Sequence, residues 1–187
     1  MTEITSGKAS ARTLAVCGMF TALIAVGAFI QIPVPYMDYF TLQFFFVLLA
    51  GILLGGKRGA MAAGCYVALG LAGFPIFAAG GGIGYIFRPS FGYLVGFVLA
   101  ALITGILCEK RRNSFGNFFL SCLAGFAVTY GVGIFYKYMI LNVYADTPAT
   151  LTAVILSCFP LDMPGDLVLC LLASGVGLRL RRIGIWD

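Results

Sequence analysis

Apolar residues in this chain do not alternate with polar ones; they run in blocks, and short segments between the blocks hold most of the charge. The blocks fall at 13–32, 39–56, 59–74, 90–108, 115–136 and 164–180. Most approach the roughly 20 residues that a helix needs to cross the hydrocarbon of a bilayer. A backbone in lipid must satisfy its own hydrogen bonds, which leaves helices or a closed barrel. Barrel strands would show a period of two, so unbroken blocks predict helices. The third block is short, rich in Gly and Ala, and ends at Pro75. The expected fold is an all-α integral membrane protein, a six-transmembrane-helix bundle in which 1–187 form a single membrane domain.

Composition agrees with this pattern. Hydrophobic residues make up 61% of the chain and charged ones 10%, against roughly 45–50% apolar in soluble domains; mean hydropathy is +1.02. Polar residues 1–12 lead into the first block with no small-x-small cleavage site after it, which predicts a retained anchor rather than a cleaved signal.

The net charge of +5 would suggest nucleic acid in a soluble protein. Here the positions of the cations matter more than their sum. Lys8 and Arg12 precede the first block, Lys57 and Arg58 join the second and third, Lys110, Arg111 and Arg112 join the fourth and fifth, and Arg179, Arg181 and Arg182 close the sixth. With six spans all of these share one side, which the positive-inside rule makes the cytoplasm. Only Arg88 and Lys137 of the twelve cations fall toward the other side, together with Asp38, Asp146, Asp162 and Asp166. The expectation is a multi-pass cell-membrane protein with both termini cytoplasmic, lipid around it and no nucleic-acid partner. Outer segments at about 31–41, 75–92 and 142–164 are then available to cap a ligand.

Candidate chemistry is sparse. The chain has no histidine, and its cysteines (17, 65, 108, 122, 158, 170) stand singly in apolar segments without a CxxC pair. That predicts packing residues and neither a metal site nor a cofactor. Residues 51–58, GILLGGKR, nearly spell a phosphate-binding loop, but Arg58 stands where Ser or Thr should be, and the segment ends a membrane span instead of linking strand to helix. No catalytic set of nucleophile and base is visible, which argues against an enzyme.

Six places carry other signals. Ala15, Gly18, Ala22 and Ala25 share one face of the first helix, suited either to close packing within the chain or to a partner protein. The connection QIPVPYMDYFT (31–41) resists helix because of its prolines. Just beyond it, Thr41 and Gln43 are placed for a helix cap, an interhelical hydrogen bond or a ligand contact. The segment FPIFAAGGGIGYIFRPSFGY (74–93) sets glycines, Gly82 among them, between aromatics. It reads as a lid or pocket wall in which Tyr85, Phe87, Phe91 and Tyr93 offer apolar faces. Arg88 within it has a fork suited to a carboxylate; pairing with an outer aspartate or a lipid phosphate is the alternative. Lys137 either snorkels to the interface or touches substrate. Asp166, following Pro164 and Gly165, is a helix cap or a ligand's hydrogen-bond acceptor. The stretch 151–159, broken by Pro160, predicts a short outer helix rather than a seventh span.

Taken in order, TLQFFFVLLAGILLGGKRG (41–59), GFPIFAAGGGIGYIFRPSFGYLVGF (73–97) and FPLDMPGD (159–166) resemble BioY, the biotin-specific S component of energy-coupling-factor (ECF) transporters. Two departures are Leu169, where the family often has lysine, and PSFGY (89–93), where it often reads PTGGY. The resemblance implies a six-helix bundle with an outward vitamin pocket roofed by the loops after the first and third spans. It also implies a membrane coupling protein and two ATPase subunits as partners, with the small-residue stripe as docking face. Biotin would then meet Asp166 through its ureido N–H groups, the aromatics through its apolar part, and Arg88 or Lys137 through its carboxylate. The alternatives are an S component for another small vitamin, or a self-sufficient carrier that needs no ATPase partner.

Overall fold

A helix that is apolar around its whole circumference belongs in the middle of a bundle, and QFFFVLLAGILL is such a helix. In the computed structural model, which describes residues 11–33, 39–144, 148–158 and 162–183, it forms α2 (Gln43–Leu54), with Gln43, Phe44 and every residue from Val47 to Leu53 buried. Around it pack α1 (Ala11–Phe29), α3 (Gly56–Leu71), α4 (Phe91–Lys110), α5 (Phe115–Met139) and α7 (Asp162–Ile183). The short α6 (Leu151–Cys158) lies against α5, and matches the short helix expected from 151–159. Lys8, Asp38, Asp146 and Pro160 lie outside the described residues.

Four segments are long and apolar enough to cross a membrane: Ala11–Phe29, Phe91–Lys110, Phe115–Tyr144 and Asp162–Ile183. The second and third blocks give shorter helices, of 12 and 16 residues. Block two loses its start because Tyr39–Thr41 pairs as an antiparallel strand with Gln31–Pro33, and this corrects the expected helical start at 39. Block five runs past its expected end through a π-helical turn, Ile140–Tyr144. Block six starts earlier than expected, at Asp162, with Pro164 in its first turn, where a missing N–H removes no helical bond.

Two close approaches set the helix arrangement. The α2–α3 turn uses Gly55 at φ +81, a conformation that side chains disfavour, and the Gly56 N–H donates to Glu109 Oε1 on α4 at 3.2 Å. The phosphate-loop mimic is thus a helix–turn–helix, in which the segment ends α2 rather than a strand. At the same end, Arg181 on α7 donates from Nε to the Ile52 carbonyl on α2 (2.9 Å) and from Nη1 to Asn113 Oδ1 (3.1 Å), with its guanidinium over the Phe118 ring. The Cys17 thiol on α1 approaches the Arg58 carbonyl of α3. Lys57, Arg58, Lys110, Arg111, Arg112 and Arg181 therefore gather at one end of the bundle.

Candidate functional site

The opposite end holds a cavity of about 600 Å³, within the usual range for small-molecule sites. Six aromatic side chains form much of its wall. Phe40 comes from β2, Phe44 from α2, Tyr93 and Phe97 from α4, Tyr130 from α5, and Tyr85 from the 3₁₀ turn Ile83–Phe87 that precedes α4. The rings support one another: Phe44 stacks with Phe97 at 5.9 Å between centroids, Phe126 lies tilted against Tyr130 at 4.5 Å, and Tyr93 meets Tyr130 edge-on at 5.7 Å. Glycines make this approach possible. A methyl group at Gly133 would overlap the Tyr93 ring, and one at Gly165 would overlap the Phe40 ring.

Three sets of polar contacts enter this wall, and Asp162 and Ser90 line it as well. Asp166 is only 9% exposed, and its Oδ2 accepts the Tyr130 hydroxyl at 2.9 Å. Because α7 begins at Asp162, Asp166 sits one turn inside the helix and caps nothing; its partner is a side chain of α5. At the second place, Thr41 Oγ1 donates to Gln43 Oε1 (3.0 Å), Gln43 Nε2 donates to the Tyr66 hydroxyl (2.6 Å), and that hydroxyl donates to the Ile76 carbonyl (3.0 Å). Gln43 is thus an interhelical hydrogen-bonding group that also faces the cavity. At the third, Lys137 Nζ donates to Ser157 Oγ on α6 at 2.9 Å, and beside it the Tyr93 hydroxyl lies 3.0 Å from Cys158 Sγ.

Of the residues singled out in the sequence, Asp166, Lys137, Tyr85, Tyr93, Thr41 and Gln43 line this one cavity. Arg88, Phe87 and Gly82 lie outside its lining. Arg88 is exposed, with its guanidinium 5.4 Å from the Tyr85 ring centroid. Phe87 is exposed and stacks on Tyr144. Gly82 shapes the loop: at φ +98 it donates its N–H to the Gly70 carbonyl (2.7 Å), which returns the chain to α3 and sends Tyr85 inward. Phe91 is buried against Tyr136. Sequence reasoning missed Tyr130, Phe40, Phe44 and Phe97. For Tyr130 a signal exists: it stands seven residues before Lys137 and eleven before Leu141, positions that share a helical face, and all three line the cavity.

On α1, Ala15, Gly18 and Ala22 are exposed and Ala25 is half-buried, while Cys17, Phe20, Thr21, Ile24 and Ala28 face the bundle. Within the described residues Ala25 packs against the core, while Ala15, Gly18 and Ala22 lie on the exposed side of α1.

The geometry is that of a cavity with aromatic side chains in its wall, the carboxylates Asp162 and Asp166 on α7 and an ammonium, Lys137, on α5. Comparison with known proteins gives the site a family. The "Probable biotin transporter BioY" of Lysinibacillus sphaericus is 39% identical over 175 residues, covering 93% of this chain and 89% of that one. The "Biotin transporter BioY" of Thermotoga maritima is likewise 39% identical over 175 residues, covering 93% and 98%. Among solved structures, the S-component for biotin from an ECF-type ABC transporter superposes with a TM-score of 0.80 at 26% identity, covering 91% of each chain. The BioY family model matches residues 2–184, and the chain belongs to the BioY family.

Proposed function

We propose that this chain captures biotin at the outer face of the cell membrane and delivers it into the cell as the S component of an ECF-type, ATP-driven importer. The observation that carries this reading is the Asp166–Tyr130 pair in an aromatic cavity, at the bundle end opposite the cation cluster. Family membership names the ligand class, and the cavity supplies its chemistry. Asp166 accepts hydrogen bonds from the ureido N–H groups, and the aromatic wall covers the apolar thioether ring. A membrane coupling protein and two ATPase subunits provide the driving force. The exposed small residues of α1 meet the coupling protein, and lipid surrounds the rest. The test is the small molecule that leaves the detergent-purified protein on denaturation, identified by mass spectrometry. Biotin is the expected result, and a different vitamin in its place overturns the ligand.

The same reading makes the chain one membrane domain of six spanning helices, α1 to α5 and α7, with α6 outside and both termini cytoplasmic. The gathering of cations at one end of the bundle supports this orientation. In a cysteine-free background, a reporter cysteine at position 83, which is 70% exposed on the loop before α4, is expected to react with an impermeant reagent on intact cells. One at position 113, beside Arg181, is expected to react only after permeabilisation. The reverse pattern overturns the topology.

A further inference from the structure

The site as described leaves the ligand's anionic end without a partner, and two cations were candidates in the sequence. Among the described residues that line the cavity, Lys137 is the only Lys or Arg; Arg88, outside that lining, lies over the Tyr85 ring. We propose that Lys137 is the specificity-determining cation that pairs with the ligand's carboxylate, so that the site selects a small acid over its neutral analogue. This inference rests on the biotin reading above.

The geometry around Lys137 is that of a held, incompletely used donor. The Ser157 hydroxyl donates its own hydrogen to the Val154 carbonyl at 2.7 Å and accepts from Lys137 at 2.9 Å. The ammonium is thereby fixed from α6 rather than extended to the membrane interface. Of its three N–H donors one is used, and among the described residues Lys137 makes no other hydrogen bond and no ion pair. A half-buried ammonium facing an aromatic wall is poorly solvated and gains most from an anion.

The spacing fits a ligand with two unlike ends. Tyr130, whose hydroxyl donates to Asp166, and Lys137 lie two turns apart on the same face of α5, so their backbone positions are offset by about 10 Å along the helix. Biotin carries its ureido ring and its carboxylate at opposite ends of a flexible chain. Reading both ends also orients the ligand, with the ring toward α7 and the acid toward α6.

Equilibrium binding of biotin and of biotin carboxamide to the purified protein tests this. The unaltered protein is expected to favour the acid by about tenfold or more, the range of a charge-assisted hydrogen bond. Lys137→Met is expected to lose that preference, the acid losing about tenfold more affinity than the amide, and Arg88→Ala is expected to keep the preference. Retained preference in Lys137→Met, its loss in Arg88→Ala, or equal binding of acid and amide by the unaltered protein each overturns the proposal. If Lys137→Met fails to fold, Lys137→Gln, which can still reach Ser157, asks the same question; retained preference there, or failure of both variants to fold, makes Lys137 a structural residue and overturns it. An unaltered protein that binds neither compound defeats the biotin reading instead.

Discussion

Asp166→Asn is expected to lower biotin affinity by more than about tenfold while the protein still folds, because a hydrogen bond to a buried charged group contributes about 1.5 to 3 kcal/mol and 1.4 kcal/mol is a factor of ten. Asn has nearly the shape of Asp, so the packing of α7 against α5 changes little. Its amide replaces one acceptor oxygen with a donor, which then faces either the Tyr130 hydroxyl, now 2.9 Å from Oδ2, or the N–H groups of the ligand. Facing the ligand, the amide sets donor against donor; facing Tyr130, it makes that hydroxyl accept instead of donate and leaves the ligand a neutral carbonyl in place of a carboxylate. Tyr130→Phe removes only the supporting bond and should cost about 0.5 to 1.5 kcal/mol, a severalfold loss. Titration calorimetry on the purified variants measures both, with thermal unfolding in detergent as the check on folding. Unchanged affinity in Asp166→Asn would make the Asp166–Tyr130 pair a fold element alone.

What could be read from sequence divides along physical lines. The long helices were legible because the need for about 20 apolar residues leaves few alternatives, and α1, α4, α5 and α7 fall close to their blocks. The start of α2 was not, because strand pairing at Tyr39–Thr41 depends on a partner segment that an apolar run does not reveal. In the site, Asp166 and Lys137 stood out because ionisable groups are rare in apolar helices. Arg88 stood out equally and lies outside the cavity: the 3₁₀ turn ends at Phe87, and Arg88 follows in extended conformation at φ −83, ψ 139. No composition rule gives that turn's register. Phe40, Phe44 and Phe97 were invisible for the opposite reason. An aromatic that lines a cavity and one that fills a core have the same sequence pattern, and only the packing of the helices separates them, as where Gly165 lets the Phe40 ring in.

The proposed partner face yields the other large effect, which separates capture from transport. Ala22→Trp is expected to leave biotin affinity within about twofold of the original while abolishing ATP-dependent uptake and copurification with the coupling protein, since close helix approach depends on small side chains. The room for a bulky group exists in the isolated chain. Ala22 is exposed, and nothing lies within 4 Å of where a Gly18 side chain would start. The bundle-facing contacts of α1 are on other residues; the Thr21 hydroxyl, for example, donates to the Ala62 carbonyl of α3 at 2.9 Å. The cavity is likewise remote from this stripe, because none of Ala15, Gly18, Ala22 or Ala25 lines it. Trp at position 22 therefore projects away from the chain, into the space that a partner helix would need. Binding measured on the purified variant, followed by uptake in cells that contain the coupling module, distinguishes the outcomes. Loss of affinity together with lower thermal stability would mean that the stripe supports the bundle. Normal uptake would place the coupling protein on another face of the molecule.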